Sequence, residues 1–547
     1  MVQPAGAWDE IVDVVVVGSG GGALTAALLA STGGASVLVI EKDDVIGGTT
    51  GVSGGVAWVP NNHLLGPAGY DDSRQDAIDY IVRIADGREI DRSLIDVFVD
   101  QAPEMLRYVE DHTKLEFQIV TTLPDYYGPI IDRIPGCKPF SRSVEPKPFD
   151  AREALGEFAD RVAARSTLLS LGASTTLVED QGGGVDFDEL ARREREGVRV
   201  KGGALVSGLL AAVLDVGAEV RTATPADELV VDDRRAVVGV IANGARIGAR
   251  QGVVLGAGGF EWNPEMVRAY LGYEVKPISP GANTGDAHRM AMEVGAEMGN
   301  MTSYWGQGAM YDPAITDARG EPAPQMASGL GPGSIMVNQR GVRFMHGGIT
   351  YNDFPKAFGN FDQRYPGLAN QPPAWVIFGP SVKEARPILT MQPGEPAPSW
   401  LVQAPTLREL AGKIGVDPDT LEHTVATYNG FVEAGEDPEW GDPTQTHTLT
   451  GYNQTMAKVE GQPFYAIQQW PGTLGTNGGC RIDANGQVHG TRTPRIEGLY
   501  AVGNTSATVL GGAYLGGGTP IASGMTFGYL AGRHVASQAR RDLGETG

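Results

Sequence analysis

Residues 9–30 read DEIVDVVVVGSGGGALTAALLA. Val14 to Val17 are consecutive and β-branched, and they run directly into Gly18-Ser19-Gly20-Gly21-Gly22-Ala23. A continuous run of stiff apolar residues is the pattern of a central parallel strand buried on both faces. The loop fits G-x-G-x-x-G/A with Ala23 in the last position, and Leu24 to Ala30 reads as a helix of small and aliphatic residues. In such a unit Gly18 makes the turn, Gly20 lets the backbone approach a pyrophosphate, and Ala23 permits close helix–strand packing. The anion rests on the helix N-terminus, where free N–H groups and the macrodipole favour negative charge. A second strand, SVLVIEK, ends at Glu41, about twenty residues after Gly20, where an acid accepts ribose hydroxyls.

The segment after Glu41-Lys42 separates the two common dinucleotides. DDVIGGTTGVSGGVAW carries Gly47-Gly48 and Gly54-Gly55, a second glycine-rich segment that a nicotinamide dehydrogenase does not need. A flavin dinucleotide lies extended, and its ribityl and ring portions require further backbone contacts. GVVLGAGGF (252–260) and GLYAVGNTSA (498–507) are two more strand-to-turn elements, spread across the chain as one long cofactor would demand. The expected cofactor is FAD. The residues expected to touch it are Gly18, Ser19, Gly20, Gly22, Ala23, Glu41, Lys42, Gly48, Thr49, Thr50, Ser53, Gly54, Gly55, Ala226, Ala257, Gly258, Asn283, Asp286, Gly503, Asn504, Pro520 and Ile521.

The 547 residues exceed what one hydrophobic core supports, so two or more domains are expected. Nucleotide-binding signals fill the two ends of the chain, whereas Pro and aromatics rise between about 303 and 473. The expected architecture is α/β: a Rossmann-like FAD-binding domain with a parallel sheet, formed by 1–302 and 474–547, and an inserted α+β cap over 303–473. Helical stretches are expected over 75–115 and 150–170, and Asp417–Pro418 breaks an amphipathic helical segment in the insert. The net charge of -23 argues against nucleic acid or an anionic membrane surface as partner. Two cysteines, Cys137 and Cys480, form no disulfide framework and suit a reducing compartment. The N-terminus has no basic-then-apolar leader and no window is apolar enough to span a bilayer, so a cytoplasmic protein is expected. No His/Cys/Asp cluster has metal-ligand spacing, and no Ser/His/Asp arrangement points to a hydrolase.

Over nearly its full length the sequence resembles the 3-ketosteroid Δ1-dehydrogenases, within the wider fumarate-reductase-type flavoproteins. The carriers are VVVGSGGGALTAA, EKDDVIGGTTGVSGG, LPDYYG, GANTGDA, GVRFMHGGITYNDF, LGTNGG and YAVGNTSATVLGGAYLGGGTPIASGMTFGY. The first two speak only of FAD; the tyrosine-bearing segments are the specific ones. The resemblance implies that Tyr351 takes the proton α to a substrate carbonyl and that Tyr126 hydrogen-bonds to it. It further implies that Tyr514 and the Gly518 N–H bind the carbonyl oxygen. Leu515 and Gly517 stand where the family carries prolines, which puts the rigidity of this YLGGG loop in question. Tyr127 competes with Tyr126 for its role.

The implied chemistry is coherent with the residue types. Desaturating a ketone removes a proton from the α carbon and a hydride from the β carbon. Two donors aimed at the carbonyl oxygen make the α C–H acidic. A phenol with a pKa near ~10 is a poor base at neutral pH unless its surroundings stabilise phenolate. The implied partners are an apolar cyclic ketone or steroid and an external electron acceptor, quinone-like or of another kind.

Alternatives remain open at this level. The substrate is a steroid or a smaller ketone such as a cyclohexanone, with Trp305 and Trp470 filling the space a steroid would need. Trp305 equally suits the core. Asn283, Thr284 and Asp286 either touch the ribityl chain or flavin ring or simply form a tight turn. His346 reads as structural. A fumarate- or urocanate-reductase-like enzyme would need cationic clamps in the cap, and 296–360 holds only Arg319, Arg340 and Arg343.

Overall fold

The strand Glu10–Val17 lies in the middle of a sheet, flanked in parallel by Val37–Ile40 on one side and Ala245–Leu255 on the other. The computed structural model describes residues 7–85, 87–88, 90–127, 134–163, 175–182, 184–317, 320–345, 349–360, 370–440 and 456–544. Glu219–Arg221 and Leu499–Ala501 extend the parallel part at its two sides. Val14 to Val17 are buried, as strands covered on both faces must be. The sheet is nevertheless mixed rather than purely parallel. The long strand Ala245–Leu255 turns back on Val237–Ala242 and then Ala226–Val231, both antiparallel. The turn is Asn243-Gly244, with φ of 50° and 78°. Two left-handed residues in a two-residue hairpin loop match strand twist, which is why Asn-Gly is found there.

A second, largely antiparallel sheet is built from Tyr304–Thr316, Pro322–Met326, Ser334–Val337, Ala374–Phe378 and Phe464–Thr476. Helices Leu407–Ile414 and Pro418–Ala434 pack against it through a separate core that includes Ile335, Ile377, Leu410 and Leu421. Asp417 caps the second of these helices by accepting from the Thr420 N–H, so the sequence break is a real helix start. Strand Phe464–Thr476 runs straight through residue 474, carrying the chain from this sheet toward the nucleotide loops without a linker. The stretch 75–115 holds two helices, Arg74–Ile84 and Arg92–His112. The stretch 150–170 holds one short helix, Ala151–Leu155, and a tight helical turn to Arg161; residues 164–170 lie outside the described residues, as does His346. No described helix is long and apolar enough to cross a membrane.

The two ends of the chain meet through glycine. Helix Gly21–Thr32 packs on the C-terminal helix Thr519–Ala536, which carries Gly524, Gly528 and Gly532 at four-residue spacing. A Cβ on Gly22 would stand 2.6 Å from the Gly524 carbonyl oxygen. A Cβ on Gly528 would collide with the Gly22 carbonyl, and one on Gly532 with that of Ala26. Residues four apart share a helix face, so the three glycines make one seam of backbone-to-backbone contact. Gly528→Ala should therefore lower stability by roughly 1–3 kcal/mol through overpacking, against the usual helical gain from Ala. Gly412→Ala, in helix Leu407–Ile414 with open space around it, should raise stability by about 0.5–1 kcal/mol. Unfolding midpoints moving in the same direction for both would refute the seam.

Candidate active site

One continuous cleft of about 1390 Å³ runs from the Gly18–Ala23 loop to the second sheet. That exceeds the ~300–1,000 Å³ of a single small-ligand pocket and leaves room for two molecules end to end. All the residues expected to touch FAD, from Gly18 to Ile521, line this cleft, and so do Tyr126, Tyr351, Tyr514 and Gly518.

The nucleotide end is a lane of bare backbone. Gly18 has φ +101°, and a Cβ there would collide with the Gly256 carbonyl. Gly48 and Gly503 also have positive φ, but a Cβ on either would point into open space. Side chains at those two positions would fill the cleft, so the lane fits an extended dinucleotide. Glu41 lies buried at its end, accepting from the Ser19 N–H at 3.1 Å, the Ser19 hydroxyl at 2.6 Å and the Asp43 N–H at 3.0 Å. A carboxylate has about four acceptor sites, so one remains for a ribose hydroxyl. Burial pushes the Glu41 carboxyl upward, and these donors oppose the rise. Lys42 donates to Thr284 at 2.6 Å and to Asp286 at 2.7 Å. Asp286 is thus paired beside Glu41 at the ribose end, and Thr284 stands behind the cleft wall rather than on it. Asn283 donates to Thr49 and to the buried Glu261, which pins the wall between them.

At the other end three phenols meet. The Tyr126 and Tyr351 hydroxyls are 2.8 Å apart. The Tyr514 ring stacks on that of Tyr126, centroids 5.5 Å apart and planes within 1°. The Tyr514 hydroxyl lies within hydrogen-bonding reach of both Tyr351 and the Gly518 N–H. Burial is the first cause that pushes all three phenols well above their ordinary range, so each is protonated at rest. Tyr127 points elsewhere: its hydroxyl donates to Asp353, two residues past Tyr351, and it does not line the cleft. It ties the two tyrosine-bearing loops together.

The YLGGG loop is held rigid without prolines. The Leu515 carbonyl accepts from the Tyr126 N–H at 2.9 Å and the Tyr80 hydroxyl at 2.7 Å. Ser143 donates to the Gly517 carbonyl at 2.7 Å, and the Thr519 hydroxyl accepts from the N–H groups of Leu515 and Gly516. Gly518 has φ +89° and starts the C-terminal helix, and a Cβ there would collide with the Val56 backbone. Gly516 packs on Trp58, whose indole donates to Asp125 at 2.9 Å. Asp125 is fully buried beside Tyr126 and also accepts from Arg142 at 2.7 Å and the Lys138 N–H at 2.9 Å. Burial pushes its carboxyl up to about 6, and with these three donors it is ionised at neutral pH. Arg142 completes the chain of contacts with Asp72 at 2.6 Å. Nothing in the sequence pattern flags this network, because its members are far apart in the chain and keep no period.

Trp305 lines the cleft, meeting Tyr514 edge to face at 5.5 Å and donating to Asn504 at 3.0 Å. Trp470 does not line it. Its ring sits under the Lys276 ammonium at 4.1 Å, beyond the residues that line the cleft. Of the three arginines between 296 and 360, Arg343 pairs with Asp437 at 2.5 Å away from the cleft, Arg340 does not line it, and Arg319 lies outside the described residues.

The chain is 35% identical to a 4-oxocyclohexanecarboxylate 2-dehydrogenase of Sinomonas cyclohexanicum, covering 91% of this chain and 88% of that one. It is 34% identical to a 3-oxosteroid 1-dehydrogenase of Mycobacterium tuberculosis, covering 91% and 93%. Its fold matches the crystal structure of the 3-ketosteroid Δ1-dehydrogenase of Sterolibacterium denitrificans in complex with 1,4-androstadiene-3,17-dione. The TM-score is 0.84 at 31% identity, over 96% of this chain and 100% of that one. Residues 13–521 match the FAD binding domain family. The glycine lane, the buried acid at its end and these likenesses agree: the chain belongs to the FAD binding domain family, as an FAD-dependent oxidoreductase of the ketosteroid dehydrogenase type.

Proposed function

We propose that the protein desaturates a cyclic ketone between its α and β carbons. In this reading Tyr351 takes the α proton, Tyr514 and the Gly518 N–H polarise the carbonyl, and 303–473 caps the cleft. The observation that carries the reading is the buried contact of three hydroxyls at the far end of the glycine lane. Bound FAD supplies the hydride acceptor for the β carbon. Everything else falls to this chain's own groups. The Tyr514 hydroxyl and the Gly518 N–H lie beside one another, and in this reading both donate to a developing enolate oxygen. Tyr126 hydrogen-bonds the base through the 2.8 Å contact, and as a donor it would stabilise the phenolate. Trp305 and the stacked Tyr126 and Tyr514 rings hold the substrate ring flat and keep water away.

A 3-ketosteroid is the leading substrate class, supported by the cleft volume and by apolar walls at Met310, Ile315, Leu330 and Ile388. A second reading, a single-ring ketone, is favoured by the relative whose named substrate is 4-oxocyclohexanecarboxylate. Anaerobic bleaching of the bound flavin by androst-4-ene-3,17-dione beside cyclohexanone separates the two.

Tyr351→Phe should cut ketone-dependent bleaching by ~10²-fold or more while the protein stays yellow; near-normal bleaching removes Tyr351 from the reaction. Tyr514→Phe should weaken ketone binding and slow turnover together, and unchanged kinetics reject its role at the carbonyl. Burial raises both phenols, with opposite consequences. Phenolate at Tyr351 becomes more abundant as pH rises, so kcat/KM should climb about tenfold per pH unit from neutrality without levelling below about pH 10. Tyr514 stays protonated over that whole span, so no falling limb should intervene. A plateau near pH 7 would point to a base other than a buried phenol.

A further inference from the structure

The wall behind the glycine lane holds a carboxylate that the proton and carbonyl chemistry leaves unused. Glu261 is 3% exposed and stands behind the residues that line the cleft. Its Oε1 accepts from the Ser279 hydroxyl at 2.6 Å and from the Asn283 amide at 2.7 Å. Its Oε2 accepts from the Thr476 N–H at 3.1 Å and from the Thr476 hydroxyl at 3.4 Å. All four partners are neutral. A glutamine would fill the same space at a lower cost of desolvation, but it could not accept at both ends. Asn283 makes use of that difference. Its Nδ2 donates to Glu261 and, at 2.9 Å, to the Thr49 hydroxyl oxygen. A carboxylate only accepts, so Asn283 has to turn its amide nitrogen toward Glu261. The Asn283 Oδ1 is left over Gly258, where a Cβ would stand 2.4 Å from it, and no described residue donates to it. Thr49, Asn283 and Gly258 all line the cleft. The Thr49 oxygen accepts from Asn283, which leaves its own hydrogen for the lane.

We infer that Glu261 is a positioning residue for FAD: by accepting alone, it fixes the Asn283 amide so that Asn283 Oδ1 and the Thr49 O–H meet the cofactor as a paired acceptor and donor. FAD carries matching groups in its ribityl hydroxyls and in the imide edge of its flavin ring. The inference concerns how the cofactor is held and stands whichever substrate is oxidised. Exchanging one atom reverses the arrangement. In Glu261→Gln the Thr476 backbone N–H keeps the amide oxygen at the place of Oε2, because a main-chain donor cannot turn into an acceptor. The introduced amide nitrogen then faces Asn283, whose amide turns over and puts its own nitrogen toward the lane. Asn283→Asp in the same chain restores an oxygen there.

Serial dilution of the FAD-loaded enzyme, followed by the fluorescence of released FAD, gives the dissociation constant of each variant without any substrate. Glu261→Gln should raise that constant by about 10- to 100-fold. The double variant Glu261→Gln/Asn283→Asp should recover most of the loss. Asn283→Asp alone sets two carboxylates against each other and should bind FAD weakest. A side chain that only fills space gives the opposite pattern, since glutamine has the shape of glutamate. Wild-type affinity in Glu261→Gln, or a double variant weaker than Glu261→Gln, overturns the inference. Should Glu261→Gln not fold, Asn283→Asp and the double variant decide, and a double variant that binds FAD no tighter than Asn283→Asp overturns it.

Discussion

The backbone contact between the first and last helices governs where the reacting groups stand. Gly22 meets Gly524 and Gly528 with no side chain between them. The C-terminal helix is thereby locked at one height against the helix that begins the nucleotide loop. Gly518 is the residue from which that C-terminal helix starts, and Tyr514 lies four residues earlier. The corner proposed to bind the carbonyl is therefore positioned relative to the cofactor lane by main-chain packing, which has almost no freedom to relax. A side chain in the seam would separate the helices and lift the corner from the lane.

The YLGGG loop shows how order is obtained when the chain itself supplies none. Gly516, Gly517 and Gly518 have large conformational freedom in the unfolded chain, and fixing them costs more entropy than fixing prolines would. The opposing contributions come from outside the loop: Tyr80, Tyr126, Ser143 and Thr519 each bond its backbone. Tyr126 and Ser143 are chain neighbours of Asp125 and Arg142 in the Asp125–Arg142–Asp72 network, and the Arg142 guanidinium lies over the Tyr80 ring. A buried ion pair adds little net stability over an apolar replacement, but removing one member leaves a charge stranded. Its use here is positional: the carboxylate next to Tyr126 receives three donors and cannot rotate away.

The nucleotide loop is legible in the sequence because its physics is local. Val14–Val17, the glycines after them and Glu41 each report their role through spacing alone. The tyrosines are legible only through resemblance, since nothing local distinguishes Tyr126 from Tyr127; their opposite directions are set by Asp353, from a distant segment. The antiparallel wing is written in Asn243-Gly244, but a reading tuned to parallel strands passes over it. The seam of Gly524, Gly528 and Gly532 carries a helical period that a search for ligand loops does not seek. Trp470 misleads because the sequence does not say how far along its strand the cleft extends.

Burial of the phenols carries a cost and a gain that must be weighed together. Raising the Tyr351 pKa makes its phenolate rare at neutral pH, which slows any reaction that waits for it. The same desolvation makes the phenolate, once formed, a stronger base, and the proton α to a ketone is only weakly acidic even when the carbonyl is polarised. A base left in water would be more often ionised but less able to remove that proton. In the proposed reaction the stacked Tyr514 resolves the conflict, because its own raised pKa would keep it a donor to the enolate oxygen throughout. In that reaction a bound ketone would add a hydrogen-bond acceptor beside Tyr514 and shift charge toward it, so that the acidity gained at the α carbon would meet the basicity gained at Tyr351. Three phenols in one dry cluster give both halves of that match, whereas a histidine in the base position, with a pKa near ~6.5, would lack the proton affinity.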